Sequence, residues 1–203
     1  MTRWYQEKKK EYFYNEAKRT GYRSRSAFKL KQIQNKFKII RKTDFVLDLG
    51  AAPGGWSQVS NEIIGKNGKI IGIDLLNIKP IDGIQFLQED ITEKSTILKI
   101  IKIVGEKGVD VILSDMSPNI SGNYSIDHAN SIHLCKQSLN LADIILKDNG
   151  NFLCKLFMGE EFDDFIKIFK NRFKNVKLYS PPASRKSSSE IYLIGRNFLK
   201  KII

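Results

Sequence analysis

Residues that hold metals or form disulfide frameworks are scarce in this chain. It contains two histidines, and its two cysteines, Cys135 and Cys154, lack the close spacing of zinc ligands. We therefore expect no metal site. We interpret both cysteines as reduced thiols in the core of a cytoplasmic protein.

Long apolar stretches are missing as well. No run approaches the roughly 20 apolar residues of a membrane-spanning helix, and the charged start MTRWYQEKKK is followed by no apolar signal segment. Internal repeats are also absent. With 41% hydrophobic residues in a length of 203, we expect one monomeric globular domain over residues 1–203 and no membrane contact.

Basic residues outnumber acidic ones, and the two kinds are unevenly distributed along the chain. Residues 1–42 carry 14 Lys and Arg against three acidic residues, and residues 166–203 carry ten against one. Residues 43–165 carry ten basic and 18 acidic residues. Two basic flanks around an acidic centre favour a polyanionic partner, although heavy use of lysine alone would also give a basic protein.

The N-terminal segment interleaves aromatic and basic residues. Trp4, Tyr5, Tyr12 and Tyr14 alternate with lysines and with Arg19. Cations that meet phosphates and rings that stack on bases are typical of RNA binding, while a helix docked through its aromatic face is an equal alternative. We divide the domain into this basic arm with its following helix, 1–42, and a core, 43–203.

The most informative stretch is DFVLDLGAAPGGWSQ, residues 44–58. A short apolar strand leads through small residues into a helix, as in nucleotide-binding α/β folds. The turn lacks the G-x-G-x-x-G pattern of dinucleotide sites, because Ala52 stands where a glycine is needed. It suits an adenosine cofactor without a phosphate, such as S-adenosyl-L-methionine, although an ordinary strand–helix turn remains open.

Acidic residues end the next strands. Asp74 ends the strand 69–74 and follows Gly54 by 20 residues, a position suited to ribose hydroxyls. Asp90 follows the strand 84–87 and could accept a hydrogen bond from an adenine amino group or cap the helix 93–104. Asp115 follows the strand 109–113, at the sheet edge where α/β proteins bind ligands. We expect the next helix, 127–146, to end with Gly150 just beyond it.

Three further charges stand in unusual places. Lys29 lies on or beside the apolar stripe of a helix over 25–37, where a lysine usually extends to water. Lys155 interrupts the apolar strand NFLCKLFM, where a charge is costly unless it is paired or neutralised. Glu190 opens the last strand, after a polar loop in which Arg185 and Lys186 are candidates for phosphate contacts.

Several motifs together resemble one known family. DLGAAPGGWSQ, SDMSPNISG, CKLFMGEEF and SRKSSSEIY, with GYRSRSAFKL before them, resemble the FtsJ/RlmE family of RNA ribose 2′-O-methyltransferases over nearly the whole chain. The aromatic arm and PNISGNYSIDHA are similar to archaeal members. Met158 departs from the Gln that bacterial members often have, which concerns only the detail of the substrate pocket.

This resemblance implies a fold and a site. The fold is an α/β, Rossmann-like methyltransferase sheet of seven mostly parallel strands with an antiparallel last strand. The family's catalytic tetrad corresponds to Lys29, Asp115, Lys155 and Glu190. The residues that bind S-adenosyl-L-methionine correspond to Gly54, Gly55, Trp56, Asp74, Asp90 and Asp115.

The implied reaction is methyl transfer from S-adenosyl-L-methionine to a ribose 2′-hydroxyl, in ribosomal RNA of the large subunit and most specifically at a uridine. Lys155 is the expected general base if its amine is neutral, and it only steers the hydroxyl if it stays charged. A transfer RNA ribose is the main alternative target. A non-catalytic RNA-binding assembly factor and a nicotinamide dehydrogenase are the alternatives from other classes.

Overall fold

The computed structural model describes residues 3–184 and 189–200, with side chains from residue 11 onward within those ranges. These described residues form six helices and seven strands, in the order α1 Arg3–Arg19, α2 Ala27–Phe37, β1 Phe45–Leu49, α3 Gly55–Ile64, β2 Lys69–Asp74, β3 Gln85–Gln88, α4 Lys94–Val104, β4 Val109–Ser114, α5 Tyr124–Ile145, β5 Leu146–Phe157, α6 Phe162–Lys170, β6 Phe173–Tyr179 and β7 Glu190–Phe198. Arg185 and Lys186 lie outside the described residues, as do the side chains of Trp4 and Tyr5.

The seven strands form one sheet in the order β3-β2-β1-β4-β5-β7-β6. The pairs from β3 to β5 are parallel, and β7 runs antiparallel to both β5 and β6. This confirms the predicted mostly parallel sheet with an antiparallel last strand. The strand order reverses between β1 and β4, which is where open α/β sheets bind ligands.

Apolar side chains cover both faces of the sheet. Successive strand residues point to opposite faces, so Leu47 joins one buried cluster and its neighbour Val46 joins the other. The first cluster includes residues of α4, α5 and α6, and the second includes residues of α2 and α3. A sheet buried on both faces explains why β1 and β4 are mostly apolar, interrupted by Asp48 in β1 and by Asp110 in β4.

The end of α5 differs from the prediction. The helix ends at Ile145, and Leu146 already begins β5, where it pairs with Val109. The chain bulges before pairing resumes at Asn151, with Asn149 at φ +60°. Gly150 is therefore part of a bulged strand rather than a residue that ends the helix.

The N-terminal helices pack on the second cluster. Ala17 of α1 is buried, and the Phe13 and Phe28 rings lie 5.4 Å apart between α1 and α2. Tyr12 and Tyr14 remain 60% and 51% exposed. The arm thus docks through one aromatic face and presents others to solvent. Among the described helices, none is long and apolar enough to span a bilayer.

Candidate active site

Four charged side chains from separate elements meet at the carboxyl edge of the sheet. Asp115 directly follows β4, Lys155 lies near the end of β5, Glu190 begins β7, and Lys29 reaches in from α2. Because β7 is antiparallel, its first residues lie beside the last residues of β5, and Glu190 pairs with Phe157. The structure brings together all four residues of the tetrad that the sequence indicated.

The tetrad forms two ion pairs that are largely shielded from water. The Lys29 amine lies 2.6 Å from a Glu190 carboxylate oxygen, with both side chains at most 12% exposed. The Lys155 amine lies 3.2 Å from Asp115 Oδ1 and donates to the Asp115 carbonyl at 2.7 Å. Each buried cation therefore meets oxygen, which limits the cost of taking it out of water.

Tyr192 joins the two ion pairs, and the sequence reasoning missed it. Its hydroxyl donates to Asp115 Oδ1 at 2.9 Å, and its ring centroid lies 5.6 Å from the Lys29 amine. Burial, together with the negative charges of Asp115 and Glu190, raises the pKa of Tyr192 well above its usual value, so the hydroxyl stays a donor. Its position two residues after Glu190, on the same face of the strand, was the available signal.

The neighbouring Lys29 also lowers the pKa of Glu190. Burial alone would raise its pKa, but the charge and hydrogen bond of Lys29 outweigh that effect and hold the pKa of Glu190 below its usual value. The site therefore carries an ionised carboxylate against the Lys29 amine at neutral pH. Together with the Lys29 amine, this carboxylate forms one side of the site.

A separate cleft lies on the β1–β4 side of Asp115. Gly50, Asp74, Asp90 and Met116 line it, together with Ile91 and Glu89. Gly50 has φ +75°, and a side chain there would lie 2.8 Å from the backbone nitrogen of Met116. The glycine therefore leaves room that no other residue would leave.

The lining fits an adenosine cofactor. Three acidic side chains and several apolar ones line the cleft, and no lysine or arginine is among its described lining residues. Acidic groups can accept from ribose hydroxyls and an amino group and attract a cationic sulfur, whereas a pyrophosphate would need donors. The chemistry of these residues fits S-adenosyl-L-methionine better than a dinucleotide.

Asp74 and Asp90 both face this cleft and also hold local backbone. Asp74 accepts from the Ala52 and Leu76 backbone N–H groups, each at 2.9 Å, and so ties the glycine turn to the loop after β2. Asp90 accepts from the Thr92 backbone N–H at 2.8 Å. The helix α4 has Glu93 at its N-cap, so the alternative interpretation of Asp90 as that cap is wrong.

The other predicted cofactor residues are placed differently. Gly54 is the N-cap of α3 and Gly55 is its first residue, and the described lining of the cleft includes Gly50 but neither of these two. The Trp56 ring is 2% exposed, and its Nε1 donates to the Ser26 carbonyl at 2.9 Å. The Trp56 side chain therefore joins α3 to the start of α2, and only its backbone is left for a cofactor.

Arg23 is a second residue that the sequence reasoning missed. Its guanidinium donates to the Pro80 carbonyl at 2.7 Å and to the Lys79 carbonyl, and its backbone N–H donates to Gln58. It thus ties the segment before α2 to α3 and to the loop after β2. An arginine that binds carbonyls leaves no pattern in a sequence, because its partners are backbone atoms.

Asp48 lies beneath the glycine turn. It is fully buried and accepts from the Ser57 hydroxyl at 2.6 Å, while its Oδ1 has no hydrogen-bond partner among the described residues. Burial raises the pKa of Asp48 to about 7; the Ser57 bond opposes this, and the charges of Asp115 and Asp74 add to it. The carboxyl group is thus costly to ionise in the folded protein.

Known methyltransferases resemble this chain over most of its length. A family model described as FtsJ-like methyltransferase matches residues 22–198. Ribosomal RNA large subunit methyltransferase E from Methanosarcina mazei is 54% identical over 191 residues, covering 94% of this chain and 70% of the relative. The protein of the same name from Methanocaldococcus jannaschii is 44% identical over 203 residues, covering 98% and 83%.

A solved structure agrees with these relatives. A crystal structure described as a ribosomal RNA methyltransferase from Plasmodium falciparum superposes with a TM-score of 0.79 at 33% identity, covering 89% of this chain and 100% of that one. The observed sheet is therefore the one seen in a related methyltransferase.

The buried Asp48 predicts a pH-dependent stability. Its pKa of about 7 in the folded chain exceeds the roughly 3.9 of an unfolded aspartate, so its contribution is present below about pH 4 and is lost as pH rises through 7. The wild type should lose stability relative to Asp48→Asn between pH 5 and pH 8, by a few kcal/mol and at most about 4. Urea unfolding at several pH values measures this difference.

The exposed Asp82 supplies the control, because Asp82→Asn should follow the wild type at every pH. A pH-independent difference between Asp48→Asn and the wild type would contradict the interpretation.

Proposed function

The chain belongs to the FtsJ-like methyltransferase family, and we propose that it transfers a methyl group from S-adenosyl-L-methionine to a ribose 2′-hydroxyl in ribosomal RNA. The observation that carries this proposal is that two lysines and two carboxylates converge beside a cleft lined by acidic residues and a glycine. The relatives named for the large ribosomal subunit favour that subunit as the substrate, and we propose a uridine as the target. The protein would act as a cytoplasmic monomer.

The cofactor determines which steps the residues must perform. When bound, S-adenosyl-L-methionine supplies a methyl group on a positively charged sulfur, and this sulfur needs no acid to leave. A ribose hydroxyl, in contrast, is a weak nucleophile. The work left to the protein is to orient this hydroxyl and to receive its proton.

We assign the proton to Lys155. Its amine is held by the carbonyl and carboxylate of Asp115, and the Tyr192 hydroxyl donates to the same carboxylate oxygen, Oδ1. The Lys155 amine would first release a proton to water, and its neutral nitrogen would then accept the hydroxyl proton when the methyl group of the bound cofactor is transferred to the ribose oxygen. Lys29 and Glu190, 2.6 Å apart, hold the ribose and exclude water.

We propose that the N-terminal arm binds RNA and works with the core as a single domain. The arm shares the second apolar cluster with residues of β1 and α3. Its exposed Tyr12 and Tyr14 lie beside basic residues, and the Lys18 amine stands 4.5 Å above the Tyr14 ring. Exposed aromatic rings next to cations suit single-stranded RNA.

Substitution of Lys155 tests the mechanism. Lys155→Ala should keep cofactor affinity, because the acidic cleft is untouched, but lose methyl transfer by roughly 10²- to 10⁴-fold, as expected for a missing general base. Lys155→Arg should fail to restore transfer, because a guanidinium does not release its proton at neutral pH. Single-turnover transfer to ribosomal subunits that lack the modification measures this, with calorimetry for the cofactor.

Two results would count against the mechanism. Near wild-type transfer by Lys155→Ala would remove Lys155 from the reaction. Strong rescue by Lys155→Arg would make it a steering cation instead of a base. Lys136→Ala, which alters a lysine paired with Glu161 at the surface, is the matched control.

Removal of the arm tests RNA binding. Residues 1–20 carry six Lys and Arg against three acidic residues, so a chain that begins at Gly21 should bind RNA more weakly and with a shallower salt dependence. Cofactor affinity should stay unchanged. Filter binding to ribosomal RNA at several salt concentrations measures the slope, and an unaltered slope would show that the arm makes no phosphate contacts.

A further inference from the structure

A second cleft opens at the same sheet edge, beyond Lys155 from the cofactor cleft. It is lined by Ile120, Tyr124, Asp127, His128, Phe157 and Ser189. The two clefts share none of their described lining residues, and the chain that follows β4 contributes to both. Two separate cavities therefore flank the tetrad.

The second cleft directly adjoins the tetrad. Phe157 follows Lys155 by two residues in β5 and pairs with Glu190, and Ser189 immediately precedes Glu190. In a nucleotide the base is attached to C1′, the carbon next to the one that carries the reacting hydroxyl. A ribose held at Lys155 and Glu190 must therefore place its base within a few ångströms, on a side that the cofactor does not occupy.

The polar groups in the walls already have partners within the protein. The Asp127 carboxylate accepts from the backbone N–H and the hydroxyl of Ser121, each at 2.8 Å, and from the Gly122 N–H at 3.2 Å. The Ser121 bonds, opposed by partial burial, lower the pKa of Asp127, which keeps it ionised as the anchor of this loop. These groups shape the wall and leave few free donors or acceptors for a ligand.

His128 is engaged through both ring nitrogens. The Glu161 backbone N–H donates to Nε2 at 3.0 Å, so the neutral ring carries its proton on Nδ1 and donates it to the Phe157 carbonyl at 3.0 Å. The ring thus fixes the end of β5 against the loop that leads to α6. It supplies a firm wall and no spare hydrogen-bonding group.

Apolar groups at the mouth of the cleft are exposed instead. Ile120 is 63% exposed, Tyr124 59% and Met158 50%. The Tyr124 hydroxyl donates to the Met158 carbonyl, which holds the ring in place over the opening. A fixed aromatic ring among exposed apolar side chains is the kind of surface on which an unstacked base lies.

We propose that this cleft receives the base of the target nucleotide and that the Tyr124 ring is its stacking partner. This inference rests on the proposed function, because it assumes that a ribose is held at Lys155. The walls have few free polar groups, so the base is held by stacking more than by hydrogen bonds to its edge. The RNA shape around the target, more than base identity, then selects the nucleotide.

Two variants of Tyr124 test the proposal. Tyr124→Ala should lower kcat/KM for ribosomal subunits roughly 10- to 100-fold, in line with the loss of one stacking contact. Tyr124→Phe should keep most of the transfer that Tyr124→Ala loses, because the ring remains although the bond to Met158 that orients it is lost. Cofactor affinity and the thermal unfolding midpoint should match the wild type in both variants.

Ile126→Ala is the control, since Ile126 is 50% exposed on the same helix but is not among the lining residues. If Tyr124→Ala transfers methyl as well as Ile126→Ala and the wild type, the cleft does not hold the base, while the proposed function stands. If Tyr124→Phe is as defective as Tyr124→Ala, the hydroxyl contact is what matters and the stacking role is refuted. If the wild type and Ile126→Ala transfer no methyl to ribosomal RNA, the proposed function itself fails, and this inference with it.

Discussion

The pairing of Lys155 with Asp115 is the contact on which the arrangement of the site depends. A lysine inside an apolar strand is tolerated only where its amine reaches oxygen, and Lys155 finds both the carbonyl and the carboxylate of Asp115. That geometry requires β4 and β5 to be neighbours that end at the same edge. Tyr192, opposite Lys155 in β7, then fixes the carboxylate from a third strand. The antiparallel last strand is therefore part of the chemistry as well as of the fold.

Acidic and basic residues are also concentrated in different parts of the chain. The cleft on the β1–β4 side is acidic and suits a cationic cofactor, while the excess of basic residues lies in the two ends of the sequence. The tetrad contains both signs. The proposed function would use the acidic cleft for the cationic cofactor and the basic ends of the sequence for RNA phosphates.

The resemblance to the FtsJ/RlmE family implied the seven-stranded sheet, its antiparallel last strand and the tetrad of Lys29, Asp115, Lys155 and Glu190. The sequence patterns themselves predicted the strands and their ends, and they marked these four charges as unusually placed. They did not predict features that depend on tertiary contacts. The pairing of Leu146 with Val109 overrides the helix signal before Gly150, so β5 begins earlier than its apolar run. Trp56 remains a predicted cofactor residue, and the motif gave no sign that its indole would lie between α2 and α3 and donate to the Ser26 carbonyl. The roles of Tyr192 and Arg23 rest on partners far away in the chain, which local patterns do not reveal.

A map of 2′-O-methyl groups in total RNA, from cells with and without the protein, tests whether this site methylates a ribose in ribosomal RNA. We expect a ribose of the large-subunit ribosomal RNA to lose its methyl group when the protein is absent and to regain it when the gene is restored. Loss of methyl groups only from transfer RNA, or an unchanged map, would contradict this expectation.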